Sequence, residues 1–298
     1  MRLSSLYRLI PAIFAFFLLA PQGAYCQNIL QKSERDSIST GEDKTFLELL
    51  KYDGGSFLGG VGYGLSRPVY WKGDDWLKLG GTLAGTLLLY TVDEETSEFF
   101  QRQRDGVPKI IRDYGWYYGS PQNNYMILGA AYITSAAIKS EKWRRTTILM
   151  LSSASAAGIV QQIAKTIAGR ARPGEGRKPN DFRPFNDSAG YHSFPSGHTV
   201  LAVTNAYALA KHFDNPWIKT GIYTIGAIPP ISRLWEGDHW LSDVMLSVVL
   251  SIATVESIDH YLDRRYSNLH SDAINPMNKK ISWNVRFGAR SIGITGTF

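Results

Sequence analysis

The sequence predicts a mainly α-helical protein, a bundle of about six core helices with a short strand-like hairpin at the C-terminus. Apolar runs of helical length recur from residue 77 onward, and polar or Pro/Gly-containing connections separate them without strand-like alternation. A chain of 298 residues is long enough to enclose one large core. We therefore expect one helical domain over residues 75–260.

Six apolar runs predict the core helices. They cover residues 77–93, 125–139, 147–165, 198–212, 217–231 and 241–259. A further amphipathic piece over about 95–113 sets apolar residues such as Phe99 and Ile110 between charges. Arg264 and Arg265 are expected to close the last helix, because cations complement the negative end of a helix dipole.

The segments that flank this domain are predicted to be less regular. Residues 27–74 form a polar and Gly-rich lead-in, with a short helix near Phe46–Leu50 and an irregular packed loop over 53–66, where six glycines occur. Residues 261–298 form a tail whose last part, 281–298, alternates like a strand. One hairpin cannot close a barrel, so a pore is excluded. A packed edge hairpin and an outer-membrane contact remain as interpretations.

The N-terminus has the features of a secretory signal. Arg2 and Arg8 supply positive charge, residues 9–20 are apolar, and a small-x-small cleavage pattern ends at Cys26. We predict that residues 1–26 are removed on export to the periplasm or cell envelope; an uncleaved anchor and a lipidated Cys26 are the alternatives. Because Cys26 is the only cysteine, cleavage would leave no thiol for a disulfide or a metal.

The apolar runs are short for membrane-spanning helices. A span needs about 20 mostly apolar residues, whereas charges or polar residues interrupt the runs, and the mean hydropathy is −0.16. If every run crossed a membrane, Lys165 and the motifs after it would face the cytoplasm, which conflicts with export. We expect a globular periplasmic bundle that can rest on a membrane, with an integral protein as the alternative.

Basic residues concentrate over residues 165–183. Six Lys and Arg occur there, against a formal net charge of +6 for the whole chain. This clustering favours an anionic substrate. No stripe of interleaved basic and aromatic residues accompanies it, so we expect no nucleic-acid partner.

Three short segments carry the residue types of a phosphate site. In Ser232–Asp243, Asp243 follows His239 by four residues and shares its face if the segment is helical. A carboxylate at one ring nitrogen would fix the tautomer and leave the other nitrogen as a nucleophile. Arg233 adds a guanidinium that suits phosphate oxygens. The alternative for such a His–Asp pair alone is a surface contact on a helix.

The segment Ser193–His198 directly precedes an apolar helical run. Ser196 is predicted to cap this helix, and the first backbone N–H groups, with that of Gly197 among them, suit an anion. His198 would lie in the first turn, where it could donate a proton to a leaving oxygen. The alternative is a capped helix with an incidental histidine.

The segment Lys165–Pro173 ends a predicted helix and continues in a loop. Lys165 and Arg172 reach one pocket if the chain turns at Gly169. The other basic residues nearby are expected to be solvated: Arg170, Arg177 and Lys178.

In this order, Lys-x6-Arg-Pro, Pro-Ser-Gly-His and Ser-Arg-x5-His-x3-Asp resemble the type-2 phosphatidic acid phosphatase superfamily, over about residues 75–260. This superfamily includes lipid phosphate phosphatases, bacterial class A acid phosphatases and vanadium haloperoxidases. The resemblance implies a metal-independent phosphomonoesterase without a cofactor. It also implies a covalent phosphohistidine and, together with export, a lipid phosphate or lipid pyrophosphate as substrate.

The resemblance assigns a role to each motif residue. His239 is implied as the nucleophile, Asp243 as the residue that orients it, and His198 as the general acid and later activator of water. Five residues are implied to hold the phosphate: Lys165, Arg172, Ser196, Gly197 and Arg233.

Two carboxylates beside the nucleophile, Glu236 and Asp238, depart from the usual pattern of the superfamily. If they face the site, we expect them to raise the pKa of His239 and weaken it as a nucleophile. If they face solvent, we expect no effect.

Three other functions stay open at this point: a soluble-substrate acid phosphatase, a vanadium-dependent haloperoxidase with His239 as the vanadate ligand, and a non-catalytic envelope binding protein. Specificity for the alcohol half of the substrate is expected from four places: Phe182, Phe185, Tyr191 and residues 94–124.

Overall fold

The computed structural model describes residues 46–274, 282–288 and 291–297, with side chains described over residues 46–267. This part of the chain contains nine α-helices and two β-strands. The predicted signal peptide and Cys26 lie outside the described residues. The helices are α1 (Phe46–Ser66), α2 (Gly73–Tyr90), α3 (Asp93–Gln103), α4 (Lys109–Gly119), α5 (Pro121–Ala137), α6 (Glu141–Ala168), α7 (Gly197–Ala210), α8 (Pro216–Trp235) and α9 (Leu241–Ile274).

The mainly helical fold is confirmed, since each of the six predicted runs corresponds to a helix: α2 and α5 to α9. The amphipathic piece 95–113 divides into α3 and α4. A 3₁₀ turn over Arg104–Gly106 follows α3, and Pro108, which has no N–H group, stands at the start of α4.

The helix α1 corrects the prediction of an irregular loop over residues 53–66. Its glycines allow close contact with α6 and α9 instead of breaking the helix. A Cβ added at Gly60 would lie 3.1 Å from the Ser152 side chain, and one at Gly64 would lie 3.0 Å from Ile258. Glycine weakens an isolated helix, so only this packing explains why the segment is helical.

A buried ion pair fixes α1 to the bundle. Asp53 is fully buried, and its carboxylate accepts hydrogen bonds from Arg144 Nε at 2.9 Å, from Tyr132 Oη at 2.9 Å and from Tyr266 Oη at 3.1 Å. These partners lie on three different helices, so one carboxylate joins α1 to α5, α6 and α9.

The helices α6, α7 and α9 form the centre of the bundle. Leu149 of α6, Ala208 of α7 and Val255 and Ile258 of α9 belong to one buried apolar cluster. Because α6 ends, α7 begins and α9 begins at the candidate site, this core fixes the three motif segments relative to one another.

The helix α9 is longer than predicted and continues past Arg264 and Arg265 to Ile274. Arg265 does not close the helix. Its Nε donates to Ser56 Oγ at 2.7 Å, and its guanidinium lies over the ring of Tyr52. Arg265 therefore packs α9 against α1. After α9, strands β1 (Ser282–Gly288) and β2 (Ser291–Thr297) pair antiparallel.

Two of the described helices are long and apolar enough to cross a membrane by length and composition, namely α6 and the Leu241–Ser267 part of α9. In the most apolar window of each, 56% and 50% of the residues are buried inside the protein. Core helices of soluble proteins have the same properties, so this observation alone does not identify a span.

Candidate active site

The chain reverses direction at the end of α6. Gly169 adopts a left-handed conformation with φ 55° and ψ 42°, and its N–H donates to the carbonyl of Lys165 at 3.0 Å. A Cβ at this position would lie 1.8 Å from the carbonyl oxygen of Arg183. The predicted turn is therefore confirmed, and it directs the loop with Arg172 back along the end of α6.

Arg170 is completely buried, which corrects the expectation that it is solvated. It is 1% exposed and donates to the Pro179 carbonyl at 3.0 Å and to Ser242 Oγ at 2.8 Å. It also pairs with Asp243 Oδ1 at 2.5 Å and with Asp93 Oδ2 at 2.8 Å. Two carboxylates thus neutralise this cation. The other two basic residues are partly or fully exposed: Arg177 and Lys178.

The predicted cap of α7 is confirmed. Ser196 is fully buried, and its Oγ accepts from the Thr199 N–H at 3.4 Å and from Thr199 Oγ1 at 2.9 Å. Its own N–H donates to Ser247 Oγ at 2.8 Å. The hydroxyl oxygen accepts twice within the protein, and its own O–H and the N–H of Gly197, in the first turn of α7, remain as donors for an anion.

His198 lies in the first turn of α7, beside Trp116 of α4, with 5.3 Å between the ring centroids. Its Nε2 is buried and has no hydrogen-bond partner among the described residues. Burial, followed by the charges of Arg233, Lys165 and Arg172, lowers the pKa of His198 to about 3. The imidazole is therefore neutral at pH 7 in the free site.

His239 lies in the turn between α8 and α9, where Gly237 takes a left-handed φ of 69°. The ring is 3% exposed, and its Nδ1 hydrogen-bonds the backbone carbonyl of Ser193. A carbonyl only accepts, so Nδ1 carries the proton and Nε2 keeps a lone pair. Burial, followed by the charges of Lys165 and Arg172, holds the pKa of His239 well below its usual range.

Asp243 lies next to His239 without a direct hydrogen bond, because Oδ2 is 3.9 Å from Nδ1. Oδ2 instead accepts from Ser193 Oγ at 2.5 Å and from the Trp240 N–H at 3.0 Å, while Oδ1 accepts from Arg170. Asp243 thus holds the residue whose carbonyl orients His239, and its influence on the ring passes through Ser193.

Asp238 bridges the two arginines of the predicted phosphate site. Oδ1 pairs with Arg172 Nη1 at 2.9 Å, and Oδ2 pairs with Arg233 Nη1 at 2.7 Å. The pKa rise that such a carboxylate is expected to cause does not dominate at His239. Burial and the neighbouring cations outweigh it, and the pKa is lowered.

Glu236 forms its ion pairs with two other arginines. Its carboxylate pairs with Arg104 Nε at 2.7 Å and with Arg112 Nη1 at 3.6 Å. The two acids that precede His239 therefore have different surroundings, although only one residue separates them.

The structure brings the three motif segments together. Lys165 lies in the last turn of α6. Its positive charge and that of Arg172 lower the pKa of both histidines, and the charge of Arg233 lowers the pKa of His198. We call these five residues the site cluster: Lys165, Arg172, His198, Arg233 and His239. Among the described side chains, no group of three or more His, Cys, Asp or Glu is arranged to hold a metal ion.

Sequence reasoning missed Asp93 and Trp116. Asp93, at the start of α3, accepts from the Ser242 N–H at 2.9 Å and balances Arg170, from which it is 77 residues distant in the chain. The ring centroid of Trp116 lies 4.9 Å from the guanidinium carbon of Arg233, and the same ring lies beside His198. No spacing could reveal Asp93, whereas Trp116 falls within the 94–124 segment expected to carry specificity.

The aromatic residues predicted to contact the alcohol group have different positions. Tyr191 is 2% exposed and is covered by Arg177 and Arg183, so it belongs to the protein interior. Phe182 stacks on Arg170 with one face, and Phe185 is 70% exposed.

The family model of the PAP2 superfamily matches residues 146–266. The matched stretch runs from α6 into α9 and contains every residue of the site cluster. Over this stretch the chain is similar to the PAP2 superfamily, as the three motifs predict.

A lipid A 1-phosphatase from Porphyromonas gingivalis is 27% identical over 120 residues, which make up 40% of this chain and 24% of that protein. The match therefore spans about a quarter of the relative. Two solved structures are also similar. Aquifex aeolicus LpxE shares 20% identity, with 54% of this chain and 93% of that chain covered and a TM-score of 0.41. A transmembrane PAP2-type phosphatidylglycerolphosphate phosphatase from Bacillus subtilis shares 21% identity, with 62% and 95% covered and a TM-score of 0.43.

Proposed function

We propose that this protein is a metal-independent phosphatase that removes phosphate from a phosphorylated lipid through a covalent intermediate on His239. The observation that carries the proposal is the hydrogen bond from Nδ1 of His239 to the Ser193 carbonyl. It leaves the Nε2 lone pair of a buried, neutral ring next to a group of fixed cations. This is the form in which an imidazole attacks phosphorus.

In the first step, Nε2 of His239 attacks the phosphorus atom and the bond from phosphorus to the ester oxygen breaks. Lys165, Arg172 and Arg233 neutralise the phosphate oxygens, which carry the charge in the transition state. The ring becomes positively charged as the P–N bond forms. The Ser193 carbonyl stabilises this charge directly, and Asp243 does so from 3.9 Å.

His198 donates the proton that the departing alkoxide needs. Its pKa is about 3 in the free site because burial and three cations oppose protonation. A bound phosphate dianion offsets those cations, so the pKa rises when substrate binds and the ring takes up a proton. The proton goes to the ester oxygen, and a neutral alcohol leaves.

In the second step, water attacks the phosphohistidine. His198, now neutral, accepts a proton from the water, the P–N bond breaks, and Nε2 recovers its lone pair. Inorganic phosphate is released, and His198 gives its proton to solvent as the anion leaves, so the site returns to its initial protonation state.

Two observations favour a lipid as the alcohol half. The similar Porphyromonas gingivalis protein is a lipid A 1-phosphatase. In addition, α6, which ends at the site, carries an exposed apolar stripe on one face, formed by Ile159, Ile163 and Ile167. We infer that the exported protein associates with a membrane through such surfaces and takes its substrate from the lipid layer.

Phosphate release by the purified protein tests the function. The substrates are lipid A phosphate, phosphatidic acid and para-nitrophenyl phosphate, each with a chelator present, and the control is His239→Asn with circular dichroism to verify its fold. We expect release from a lipid phosphate that survives the chelator and disappears in the variant. Release that needs an added metal, or that persists in H239N, would contradict the proposal.

A further inference from the structure

We propose that Asp238 is a built-in competitor for phosphate, whose carboxylate displaces the inorganic phosphate product from Arg172 and Arg233 and so promotes its release. This inference rests on the proposed function, since it assigns both arginines to the phosphate. It gives Asp238 a role that the three motifs leave open.

The geometry of the contact supports competition. One carboxylate oxygen pairs with Arg172 Nη1 at 2.9 Å and the other pairs with Arg233 Nη1 at 2.7 Å. A phosphate that binds these same two nitrogens would place two of its oxygens where the carboxylate oxygens now lie. The carboxylate and the phosphate therefore compete for the same donors.

The backbone of Asp238 is held in place, so only its side chain needs to move. Its N–H donates to the carbonyl of Arg233 at 3.0 Å, and its carbonyl accepts from Ser193 Oγ at 3.4 Å. The side chain is 20% exposed, whereas that of Arg233 is 1% exposed. The carboxylate can thus turn toward solvent when phosphate arrives, while Arg233 stays in position.

The net charge of the site explains why such competition would speed the release of phosphate. Lys165, Arg172 and Arg233 supply three positive charges, and Asp238 removes one of them while both histidines are neutral. Arg170 does not add to this balance, because Asp93 and Asp243 neutralise it. Without Asp238, three uncompensated cations would surround the product dianion and retain it.

Glu236 provides a matched control. It is an acid two residues before Asp238, but it pairs with Arg104 and Arg112 instead of the phosphate arginines. Its neutral variant removes the same formal charge from the same turn without freeing Arg172 or Arg233.

The test is the affinity of inorganic phosphate for the full protein, measured by titration calorimetry and as the product-inhibition constant. In Asp238→Asn we expect phosphate to bind about tenfold more tightly than in the wild type, because a charged competitor is lost. In Glu236→Gln we expect no change. Thermal unfolding shows whether each variant is folded.

The sign of the change separates the possible roles of Asp238. If D238N binds phosphate more weakly, the carboxylate only positions the arginines; if affinity is unchanged, the carboxylate does not compete. Either result overturns the proposal, as does a folded D238N that binds no phosphate. Calorimetry does not depend on turnover, so failure here is distinct from failure of the proposed phosphatase reaction, which the ester assays with H239N detect.

Discussion

At the residue scale, two histidines are kept neutral by burial among fixed cations. His198 and His239 lie beside Lys165 and Arg172, and both have lowered pKa values. In the proposed mechanism a neutral His239 is ready to attack at pH 7. His198 would become a proton donor only when a substrate phosphate is bound, so the proposed general acid would be activated only when there is an ester to cleave.

The same burial makes the protein sensitive to acid. The unfolded chain binds a proton at His198 below a pH of about 6.5, whereas the folded protein does so only below about 3. Its contribution to stability is therefore present above pH 6.5 and is lost as the pH falls toward 3. Urea titrations between pH 7 and pH 4 measure the free energy of unfolding at each pH. We expect this free energy to fall less steeply with decreasing pH in His198→Asn than in the wild type. Parallel curves for wild type and variant would contradict this.

Arg170 is predicted to contribute more to stability than any exposed arginine nearby. Arg170→Met would leave Asp93 and Asp243 buried without their counter-charge, at a cost of about 3–5 kcal/mol. Arg183→Met, at a side chain 60% exposed, should cost less than about 1 kcal/mol. Urea denaturation of both variants measures the difference, and equal costs would show that the buried network is unimportant.

The motif residues could be predicted from the sequence because their spacing is local. His239 and Asp243 are one helical turn apart, and Ser196 immediately precedes the helix that it caps. The contacts that complete the site are not local. The orienting acceptor of His239 is a backbone carbonyl on another segment, at Ser193, and the partner of Arg170 lies 77 residues away at Asp93.

At the element scale, residues of the site cluster lie at or next to the ends of helices. α6 delivers Lys165 at its end, α7 presents its first turn at His198, and α9 begins just after His239. α4 closes the site from another side through Trp116 and Gly119. A Cβ at Gly119 would lie 2.7 Å from His198 Cδ2, so the glycine lets α4 approach the histidine.

Gly119→Ala is therefore expected to displace His198 and to lower kcat by about 10²-fold, because a small misplacement of a catalytic group is costly. Gly129→Ala in α5 is the matched control, since a Cβ there would meet nothing within 4 Å. Steady-state kinetics on a lipid phosphate and thermal unfolding of both variants test this. A G119A enzyme with wild-type kcat would show that His198 needs no such support.

The helices could be predicted where apolar runs are long, and could not where glycines replace them. The sequence predicts a loop over residues 53–66, now part of α1, because six glycines lower the intrinsic helix propensity there. The stability of α1 depends on the packing of Gly60 and Gly64 against α6 and α9 and on the buried Asp53. These are contacts between distant segments, which a local pattern does not contain.

At the scale of the whole molecule, the described part of the bundle exposes many large apolar side chains, although the mean hydropathy of the chain is −0.16. On α2, Leu77 is 76% exposed and Leu88 is 72% exposed. Average hydropathy hides this distribution, because charges in the loops and termini offset it. Large exposed apolar patches mark contact surfaces for membranes or proteins.

We expect the protein to bind vesicles of phosphatidylethanolamine and phosphatidylglycerol in flotation assays, and to bind them less when the stripe on α6 is made polar. The triple variant Ile159→Gln, Ile163→Gln, Ile167→Gln changes the three exposed side chains beside the site. It should lower hydrolysis of lipid phosphates more than that of para-nitrophenyl phosphate. Equal losses on both substrates would contradict a role in lipid contact.

The covalent intermediate is the central claim, and its direct detection is the most informative measurement. The protein is mixed with a lipid phosphate, quenched in alkali, where phosphohistidine survives, and analysed by mass spectrometry and ³¹P NMR. We predict a phosphoryl group on Nε2 of His239, because Nδ1 is occupied by its hydrogen bond to Ser193. Rapid phosphate release with no phosphohistidine, or with phosphorylation at Nδ1, would contradict the account.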